Sequence, residues 1–449
     1  MGKAVRLSTV LLVWLLGVES CWAQDLAAKV DEYLKAHVKT GRFSGSIMIA
    51  RAGKPIFSGG YGMANLEHDV PNTTQTKFRL GSITKQFTAA AILQLEEKGK
   101  LSVQDPICKY LEECPSAWQK VTIHNLLTHT SGVPNMTSFP EYRKTWMLPS
   151  RPNETILRFK DKPLDFEPGE KFSYSNSGYV LLALILEKVT GGTYERYLKD
   201  NIFDPVGMTS SGHDSHDAIL KHRATGYSMR AGNLVNSAYH DMTIPIGGGD
   251  LYSTVEDMLL WDQALYTEKV LSKMSLNKVF TSFKDNYAYG WVVTQQFNRQ
   301  QIGHGGGING FSSAFNRYPE DRTCIVVLAN MDFAATGRIA RDLAAIVYGE
   351  KYEIPKERVA IQVDPKIYDA YVGKYELRAG FVMTVTRDDN RLMTQLTGQQ
   401  VTEIFPESEN KFFLKVVDAQ LTFVRGENGQ VTHLILHQGG RDQKADRLP

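Results

Sequence analysis

A serine and a lysine three residues apart form a pair whose types and spacing could perform chemistry. Ser82 and Lys85 lie at the start of a predicted helix. Apolar residues recur at helical spacing from Phe87 to Leu95, and Gly99 follows where a left-handed cap would end the helix. Residues three apart on a helix lie on one face, so the Lys85 amine can reach the Ser82 hydroxyl. A hydroxyl beside a group that can take its proton is the arrangement of a nucleophile in acyl transfer.

The helix itself would assist such a reaction. Ser82 falls in the first turn, where backbone N–H groups are unpaired and the positive end of the helix dipole lies. That environment suits an oxygen that becomes anionic in acyl transfer. The pattern alone is not specific, because Ser-x-x-Lys also arises by chance and serine is a common helix cap. Further motifs are therefore needed before the pair indicates catalysis.

Two further segments carry polar or small residues beside elements that are predicted to be buried. Tyr174 and Asn176 belong to a short polar loop before a strongly apolar helix predicted at 179–189, which indicates that the loop is held against a helical layer. A glycine-rich segment at 303–311 lies between predicted strands, and glycine in a strand marks the close approach of another backbone or a ligand. His129, in a turn rich in Thr, Ser and Gly, is expected to brace the backbone rather than to act as a base.

The order of these motifs resembles that of the serine β-lactamase and penicillin-binding superfamily, in its class C-like branch of esterases, D-aminopeptidases, D-Ala-D-Ala carboxypeptidases and class C β-lactamases. The resemblance covers about residues 26–349, and the segment after it is similar to the small β-barrel domains that many members carry. The resemblance rests on six matches, which are Ser82-x-x-Lys85, Leu127 to Gly132, Glu167-Pro168-Gly169, Tyr174-x-Asn176, Asp204 to Met208 and His304-Gly305-Gly306.

The resemblance implies a role for each residue of the Ser82-x-x-Lys85 and Tyr174-x-Asn176 motifs. Ser82 would be the nucleophile, and Lys85 and Tyr174 would be the two bases that serve it. Lys85 can accept a proton at neutral pH only if burial or nearby cations lower its pKa from a reference value near 10.4. Asn176 would hydrogen-bond the amide on the acyl side of the substrate. The backbone N–H groups of Ser82 and Gly307 would form the oxyanion hole.

The third motif departs from the form that binds carboxylates. His304, Gly305 and Gly306 are expected to contact the substrate from an edge strand beside the nucleophile. Members that bind a terminal carboxylate usually have Lys-Thr-Gly or Lys-Ser-Gly, whereas here His304 replaces the cation and Gly305 removes the hydroxyl, as in D-aminopeptidases and related amidases or esterases. With a reference pKa near 6.5, His304 is expected to be partly protonated at neutral pH. The motif therefore predicts substrates that lack that carboxylate.

The charge balance argues against some classes of partner. Lys and Arg number 51 and Asp and Glu number 49, which gives no electrostatic case for nucleic acid or an anionic membrane as the main partner. A small-molecule or peptide substrate is expected, no organic or metal cofactor is implied, and the oligomeric state is left open. His213, Asp214, His216 and Asp217 are conceivable as a metal site, but their spacing matches no standard one, and a solvated surface loop is the preferred interpretation.

The N-terminus has the pattern of an export signal. Basic Lys3 and Arg6 precede an apolar run at 10–18, and small residues follow where a signal peptidase cleaves. We therefore predict a signal peptide at 1–23 and a periplasmic or secreted protein. A membrane anchor would need about twenty apolar residues, more than this run supplies, and lipidation of Cys21 is a second alternative.

Export would permit disulfides, and three further cysteines are present. Cys108 and Cys114 flank a short segment and are the expected pair. Cys324 lies in an apolar run, where a free buried cysteine behaves as a small hydrophobic residue.

The elements together predict an α+β fold in two unequal domains. A β-lactamase-like domain at 24–350 would combine an antiparallel sheet flanked by helices with an all-helical region. A charged linker at 351–366 would lead to a small antiparallel β-barrel domain at 367–449, because short alternating strands separated by turn signals follow one another there.

The sequence as a whole predicts an exported serine hydrolase that forms a covalent intermediate on Ser82. Its substrates would be esters, amides or peptides, including those with D-amino acids. The alternative with the same chemistry is a class C-type β-lactamase or a D-Ala-D-Ala carboxypeptidase. The alternative of another class is a non-catalytic penicillin-binding or sensor module, against which the intact Ser82, Lys85 and Tyr174 argue.

Overall fold

The computed structural model describes two compact units of the chain. The described residues are 24–230, 232–415, 417, 419–438 and 441–449, so the predicted signal peptide lies outside them. The first unit runs to Ser228 and continues over Val235–Pro355, and the second comprises Met229–Leu234 and Lys356–Pro449. Each unit contains hydrophobic core residues of its own.

The helices of the first unit range from single turns to elements of about four turns. They are α1 (24–39), α2 (Thr84–Glu97), α3 (Ile123–Leu127), α4 (Tyr142–Thr145), α5 (Pro152–Ile156), α6 (Asn176–Thr190), α7 (Tyr194–Leu198), α8 (Asp204–Val206), α9 (Val255–Ala264), α10 (Lys273–Phe280) and α11 (Thr336–Tyr348). A 3₁₀ turn at Gly81–Ile83 leads directly into α2. The predicted cap of α2 is present, because Gly99 has a left-handed φ of 64°.

The strands before residue 330 belong to one large sheet and three small ones. They are β1 (Gly45–Arg51), β2 (Lys54–Tyr61), β3 (Met63–Asn65), β4 (Val70–Pro71), β5 (Phe78–Arg79), β6 (Gly212–His213), β7 (Tyr227–Arg230), β8 (Asn233–Asn236), β9 (Leu251–Ser253), β10 (Val292–Gln296), β11 (Arg299–Ile308), β12 (Phe311–Tyr318) and β13 (Thr323–Ala329). The large sheet has the order β10-β11-β12-β13-β1-β2, and all of its neighbouring strands are antiparallel.

Side chains of β1 alternate between two cores on opposite faces of this sheet. Ile47 and Ile49 belong to the core that includes residues of α1 and α11, whereas Met48 and Ala50 belong to the core that includes residues of α2, α6 and α9. A period of two is the geometry of an extended strand whose faces are both covered. The predicted architecture of an antiparallel sheet flanked by helices is therefore confirmed.

The position of the third motif in this sheet differs from the prediction. β11, which carries His304 to Gly307, is the second strand of the sheet and not its edge. The neighbouring strand β10 is shorter, however, and its pairing with β11 ends at Val292 and Gly303. The part of β11 that follows Gly303 is therefore left without a partner strand on one side, and this part can present its backbone to a substrate.

The polar loop around His213 is more buried than the sequence indicated. Asp214 is only 2% exposed and forms ion pairs of 2.6 Å with Arg79 and 2.7 Å with Arg223. The interpretation as a solvated surface loop is therefore wrong for this half of the segment, although His216 and Asp217 are exposed. The ion pairs with Arg79, which lies far away in the sequence, and with Arg223 explain the difference, because a buried carboxylate is stable only when it is paired.

The described cysteines are arranged as the sequence predicts. Cys108 and Cys114 are joined in a disulfide, and Cys324 is free and buried. Within the described part of the chain, no helix is both long enough and apolar enough to cross a bilayer. The same residues contain no cluster of three or more His, Cys, Asp or Glu side chains that could hold a metal ion.

The second unit contains a closed antiparallel barrel, as predicted. Its strands are β14 (Gly373–Arg378), β15 (Phe381–Asp388), β16 (Arg391–Leu396), β17 (Thr402–Pro406), β18 (Lys411–Leu414), β19 (Ala419–Arg425), β20 (Val431–Gln438) and β21 (Arg441–Arg447). Alternate residues such as Leu421 and Phe423 face a core that is rich in aromatic rings. Closure pairs β14 with β21, which removes the open edges that a small sheet would otherwise expose.

Candidate active site

The 3₁₀ turn Gly81–Ile83, which carries Ser82 and which we call the nucleophile turn, approaches β11 at two glycines. Gly81 has a φ of 54°, and a Cβ atom there would lie 2.7 Å from the backbone nitrogen of Gly307. A Cβ atom on Gly306 would lie 2.0 Å from the carbonyl oxygen of Leu80. Both contacts are too short for any side chain, so glycine is needed at both positions. The approach places the backbone of Gly307 beside Ser82.

Lys85 is completely buried and lies among three oxygen atoms. Its Nζ atom is 3.1 Å from the Oγ atom of Ser82. It is also 2.9 Å from the Oδ1 atom of Asn176 and 2.7 Å from the carbonyl oxygen of Gly248. The amide and carbonyl oxygens can only accept hydrogen bonds, so they take two N–H groups of the amine. A neutral Lys85 would therefore turn its lone pair toward the Ser82 hydroxyl.

Burial makes the neutral form of Lys85 accessible. Removal from water disfavours the ammonium ion and lowers the pKa of Lys85 to about 7, although the carboxylate of Asp250 acts in the opposite direction. About half of the Lys85 side chains would then be unprotonated at neutral pH. A base is most effective when its pKa lies near the working pH.

Asp250 holds the turn that contacts Lys85. Its Oδ1 atom accepts a hydrogen bond of 2.8 Å from the backbone nitrogen of Gly247, and its Oδ2 atom lies 2.9 Å from the Nδ1 atom of His213. Asp250 has no exposed surface. Burial lowers the pKa of His213, but the hydrogen bond and charge of Asp250 outweigh it and raise that pKa above the usual value. The carboxylate therefore fixes the turn of Gly247 and Gly248 and places a charge near Lys85.

The Tyr174 ring also lies beside the Lys85 amine. The Lys85 Nζ atom is 4.9 Å from the centre of the Tyr174 ring. Burial raises the pKa of Tyr174, and the Ser82 hydroxyl offsets part of that rise. The two hydroxyl groups nevertheless form no hydrogen bond of good geometry, and the Tyr174 hydroxyl has no partner among the described residues. Burial thus keeps Tyr174 a protonated phenol at neutral pH.

His129 braces the loop that carries Tyr174, as the sequence indicated. The backbone nitrogen of Ser175 donates to the Nδ1 atom of His129 at 3.1 Å, and the His129 ring packs 4.1 Å from the Tyr174 ring. Burial and the charge of Lys85 hold the pKa of His129 well below its usual value. His129 is therefore neutral, and it positions Tyr174 rather than exchanging protons.

Asn176 is the first residue of α6, which begins three residues earlier than predicted. Its Nδ2 atom has two distant acceptors, the Oγ1 atom of Thr137 at 3.3 Å and the Oδ1 atom of Asn135 at 3.4 Å. The Oδ1 atom of Asn135 also accepts from the backbone nitrogen of Asn176 at 3.1 Å. Because the Oδ1 atom of Asn176 is occupied by Lys85, its Nδ2 atom is the group that a substrate carbonyl can reach.

His304 is buried and neutral, which corrects the expectation that it is partly protonated. Its Nδ1 atom donates to the carbonyl oxygen of Gly305 at 2.5 Å, so its Nε2 atom accepts from the Tyr287 hydroxyl at 3.1 Å. Burial, reinforced by the charge of Lys85, lowers the pKa of His304 to about 4. Sequence reasoning uses the reference pKa of histidine, whereas the surroundings of this ring disfavour its charged form.

A cavity of about 250 Å³ opens beside the nucleophile. Ser82, Asn176 and Gly307 contribute to its wall, together with residues of the loop that contains α4 and of the segment at 240–249. The wall of this cavity therefore includes the nucleophile but neither Tyr174 nor His304, and we call the cavity the Ser82 pocket.

The structure brings together all of the predicted catalytic and substrate-binding residues, and it adds others. Lys85, Tyr174 and Asn176 surround Ser82, and the third motif passes beside its turn. Gly248 and Asp250 were not predicted to contribute. The triple glycine before Asp250 was a local signal, but nothing in it indicated a contact with a lysine 163 positions earlier.

Comparisons with known proteins agree with this geometry. The family described as beta-lactamase matches residues 26–349, and a domain of unknown function matches residues 357–447. The chain is 31% identical over 432 residues to a penicillin-binding protein from Bacillus subtilis (strain 168), which covers 90% of this chain and 95% of that protein.

Solved structures show the same similarity. The octameric penicillin-binding protein homologue from Pyrococcus abyssi superposes with a TM-score of 0.68 and 27% identity, over 93% of this chain and 99% of that one. The D-stereospecific amidohydrolase from Streptomyces sp. superposes with a TM-score of 0.63 and 25% identity, over 72% of this chain and 99% of that one. The chain therefore belongs to the beta-lactamase family of serine hydrolases.

Proposed function

We propose that this protein hydrolyses esters or amides through a covalent acyl intermediate on Ser82. The observation that carries the proposal is the position of Lys85, a buried amine with a lowered pKa that lies 3.1 Å from the Ser82 hydroxyl. In the first step, Ser82 Oγ attacks the substrate carbonyl while its proton passes to the unprotonated Lys85 amine. The bond to the leaving group then breaks, and water later attacks acyl-Ser82 to release the acid and the free serine.

Tyr174 serves the leaving group in this proposal. Its hydroxyl keeps its proton at neutral pH and has no hydrogen-bond partner among the described residues. A buried donor without a partner is costly, so a group that accepts its proton or hydrogen bond on substrate binding is favoured. Tyr174 would donate to the departing oxygen or nitrogen and would recover a proton from the Lys85 ammonium.

The backbone N–H groups of Ser82 and Gly307 would bind the oxyanion of the tetrahedral intermediate. The contact between Gly81 and Gly307 brings the two backbones together without help from any side chain. Donors that are fixed before the reaction stabilise the developing charge without any cost of reorganisation. Loss of one such donor costs about a hundredfold or more in rate in other hydrolases.

The third motif favours substrates without a carboxylate next to the scissile bond. His304 is neutral, and both of its ring nitrogens are occupied by Gly305 and Tyr287. Gly305 supplies no side-chain donor. An unpaired carboxylate that lost its water here would be very unfavourable. Esters and amides are therefore preferred over penicillins and D-Ala-D-Ala peptides, and the similarity to an enzyme named as a D-stereospecific amidohydrolase supports an amide as one such substrate.

The experiment that tests this proposal is a turnover screen on the purified full-length protein. The panel contains short-chain p-nitrophenyl esters, amides of D-amino acids, a D-Ala-D-Ala peptide and nitrocefin, and a fluorophosphonate probe labels the nucleophile. We expect ester or amide turnover and a label on the peptide that contains Ser82, with both lost in Ser82→Ala. A higher kcat/KM for nitrocefin or the D-Ala-D-Ala peptide would refute the substrate preference. An unlabelled wild-type protein without turnover would favour the non-catalytic alternative.

We also propose that the protein is exported to the periplasm or the medium. The pattern of residues 1–23 motivates the proposal, and the disulfide between Cys108 and Cys114 supports it because such bonds persist in oxidising compartments. Mass analysis of protein recovered from outside the cytoplasm should find a chain that begins near Gln24. A chain of full length retained in the cytoplasm would contradict the proposal.

A further inference from the structure

A chain of short contacts connects Lys85 with His213, a residue that does not line the Ser82 pocket. The Nζ atom of Lys85 lies 2.7 Å from the carbonyl oxygen of Gly248. The preceding residue, Gly247, donates its backbone N–H to the Oδ1 atom of Asp250 at 2.8 Å. The Oδ2 atom of the same carboxylate lies 2.9 Å from the Nδ1 atom of His213. Asp250 thus contacts the turn beside the amine with one oxygen and the imidazole with the other.

The turn that presents the Gly248 carbonyl to Lys85 is held by bonds from outside it. Gly247 has a left-handed φ of 73°, and the backbone nitrogen of Gly248 donates to the carbonyl oxygen of Pro245 at 2.9 Å. Besides the bond from Asp250, the Oγ1 atom of Thr88 donates to the carbonyl oxygen of Gly247 at 2.6 Å. Glycine has more conformational freedom than other residues, so a run of three glycines depends on such bonds to keep one conformation. The side chain of Asp250 is therefore part of what places the carbonyl group beside the amine.

His213 is in turn fixed beside this carboxylate by the backbone. The pairing of β6 with β9 sets His213 opposite Leu251, and the backbone nitrogen of Asp214 donates to the carbonyl oxygen of Asp250 at 3.0 Å. An ionised carboxylate only accepts hydrogen bonds, so the Nδ1 atom of His213 carries the proton of this contact. Removal of the imidazole would deprive one oxygen of a fully buried carboxylate of this bond, which is unfavourable.

The charged groups around His213 favour its protonated form. Burial lowers the pKa of His213, but the hydrogen bond and charge of Asp250 outweigh it, and Glu195 on α7 and the adjacent Asp214 act in the same direction as Asp250. Tyr194 also faces Asp250, but it is uncharged because burial raises its pKa well above the usual value. Three cations and three anions make up the remaining charged residues that share a cavity wall with His213 in the described chain, and these are Arg151, Arg196, Lys199, Glu154, Glu187 and Asp204. Their charges balance, so the contact with Asp250 remains the main influence on the imidazole.

We propose that His213 is a positioning residue of the reaction, which holds Asp250 and the turn beside Lys85 in place and offsets the charge that Asp250 exerts on the amine. This inference rests on the proposed function, in which Lys85 is the base that activates Ser82. Asp250 favours the ammonium form of Lys85. Without a positive charge beside Asp250, that influence would be stronger, and Lys85 would become a base only at higher pH.

His213→Asn is the decisive variant, because an asparagine amide can donate from nearly the position of Nδ1 but cannot become charged. The measurement is the rate at which a fluorophosphonate labels Ser82, followed as a function of pH. We expect the pH of the half-maximal rate to rise by about half a unit to one unit, because one charge near the amine is lost. The plateau rate at high pH should be nearly unchanged. His216→Asn, at an exposed histidine of the same loop, is the control and should keep the wild-type midpoint.

Two further variants separate the charge of His213 from its hydrogen bond. His213→Ala removes both, so its plateau rate should also fall, by about tenfold, since a shift of about 1 Å in a catalytic group costs up to about a hundredfold. In the double variant Asp250→Asn with His213→Asn, the midpoint should equal that of Asp250→Asn alone, because the charge on which the histidine acts is gone. A purely structural role of His213 would lower the plateau rates without moving the midpoints. The midpoint does not depend on the amount of folded protein, and His213→Gln replaces the asparagine variant if that protein does not fold.

Two outcomes would overturn the inference. The first is a midpoint in His213→Asn that equals the wild-type value or lies below it, and the second is a shift of the same size when His213→Asn is added to Asp250→Asn. Either result with a labelled wild-type protein refutes the inference alone. A wild-type protein that the probe does not label at Ser82 refutes the proposed function on which the inference rests.

Discussion

The two units of this protein bury very different kinds of residue. The first unit removes Lys85, His129, His304 and Asp250 from solvent, and all four lie at or next to the nucleophile. In the second unit, Thr394 is the one polar or charged residue that is buried among those that the structure describes. Burial of titratable groups is unfavourable by several kcal/mol unless they are paired or neutral. The contrast indicates that buried titratable groups are concentrated in the first unit among the described residues.

A second contrast lies within the first unit. Arg317 is as buried as Lys85, but its guanidinium forms an ion pair of 2.6 Å with Asp262. Lys85 has only neutral oxygens within hydrogen-bonding distance, and Asp250 acts on it from farther away. A buried lysine without a direct carboxylate partner loses the water that stabilises its ammonium form, so its amine can act as a base. Substitutions in the two units can test these contrasts, and they are given in order of decreasing expected effect on activity.

Replacement of Lys85 should cause the largest fall in kcat/KM. In Lys85→Met the volume is nearly kept but the base is lost, so kcat/KM should fall by about a thousandfold, within the range for a lost acid–base group. Lys100→Met is the matched control, because Lys100 is exposed just beyond α2. Steady-state turnover of a p-nitrophenyl ester measures both. Equal rates in Lys85→Met and wild type would remove Lys85 from the mechanism.

The second largest loss of activity should follow from a side chain at Gly306, where β11 lies close to the turn that carries Ser82. A Cβ atom there would lie 2.0 Å from Leu80 O and 2.3 Å from Ser313 Oγ, so Gly306→Ala must push β11 away from the nucleophile turn. A displacement of about 1 Å costs about a hundredfold in rate. At Gly305 the nearest atom would be 3.7 Å away, so Gly305→Ala should cost much less. Similar losses in the two variants would show that the approach is not what positions the oxyanion hole.

Asp250→Asn should give a smaller, pH-dependent effect. The Asp250 carboxylate raises the pKa of Lys85, so removal of its charge should lower that pKa below about 7. The active, unprotonated amine would then persist at lower pH, and the acid limb of kcat/KM should move to lower pH by up to about one unit. His213, whose Nδ1 atom lies 2.9 Å from this carboxylate, limits the shift when it is protonated. A shift to higher pH, or none, would contradict this role.

The barrel should matter least to the reaction. Phe423 is fully buried, and its ring stacks 4.4 Å from that of Tyr371, so Phe423→Ala should reduce the stability of the second unit by about 3–5 kcal/mol. We propose that this unit is an accessory module, and the rate at which fluorophosphonate labels Ser82 should then be unchanged. Phe381→Ala, at an exposed barrel position, is the control. Loss of labelling together with the barrel transition in a thermal melt would show that the barrel is needed for the site.

The structural features that could be predicted from the sequence are those that depend on local geometry. Ser82 and Lys85 are one helical turn apart, so the helix alone brings them together. The end of α2 at Gly99 and the hairpins of the barrel follow from turn residues whose conformations are known in advance. The apolar run that contains Cys324 forms the strand β13, which is buried along its whole length.

The parts that the sequence did not predict depend on contacts between distant segments. The carbonyl oxygen of Gly248 binds Lys85, and no local pattern fixes that pairing. The neutrality of His304 follows from burial and from Tyr287, neither of which is visible in the motif itself. Asp214 was taken for a surface residue because one of its arginine partners, Arg79, lies 135 positions away and no local pattern indicated the ion pair with Arg223.

The pH dependence of acylation at Ser82 tests most directly whether Lys85 is the base that activates this serine. The rate of fluorophosphonate labelling, followed by mass spectrometry of the Ser82 peptide from about pH 5 to about pH 9, reports the base that activates this hydroxyl. The labelling rate should rise with pH and be half-maximal near the Lys85 pKa of about 7, and it should be slow and independent of pH in Lys85→Met. A wild-type profile that is flat, or that keeps rising toward the ordinary lysine pKa near 10.4, would contradict this role of Lys85.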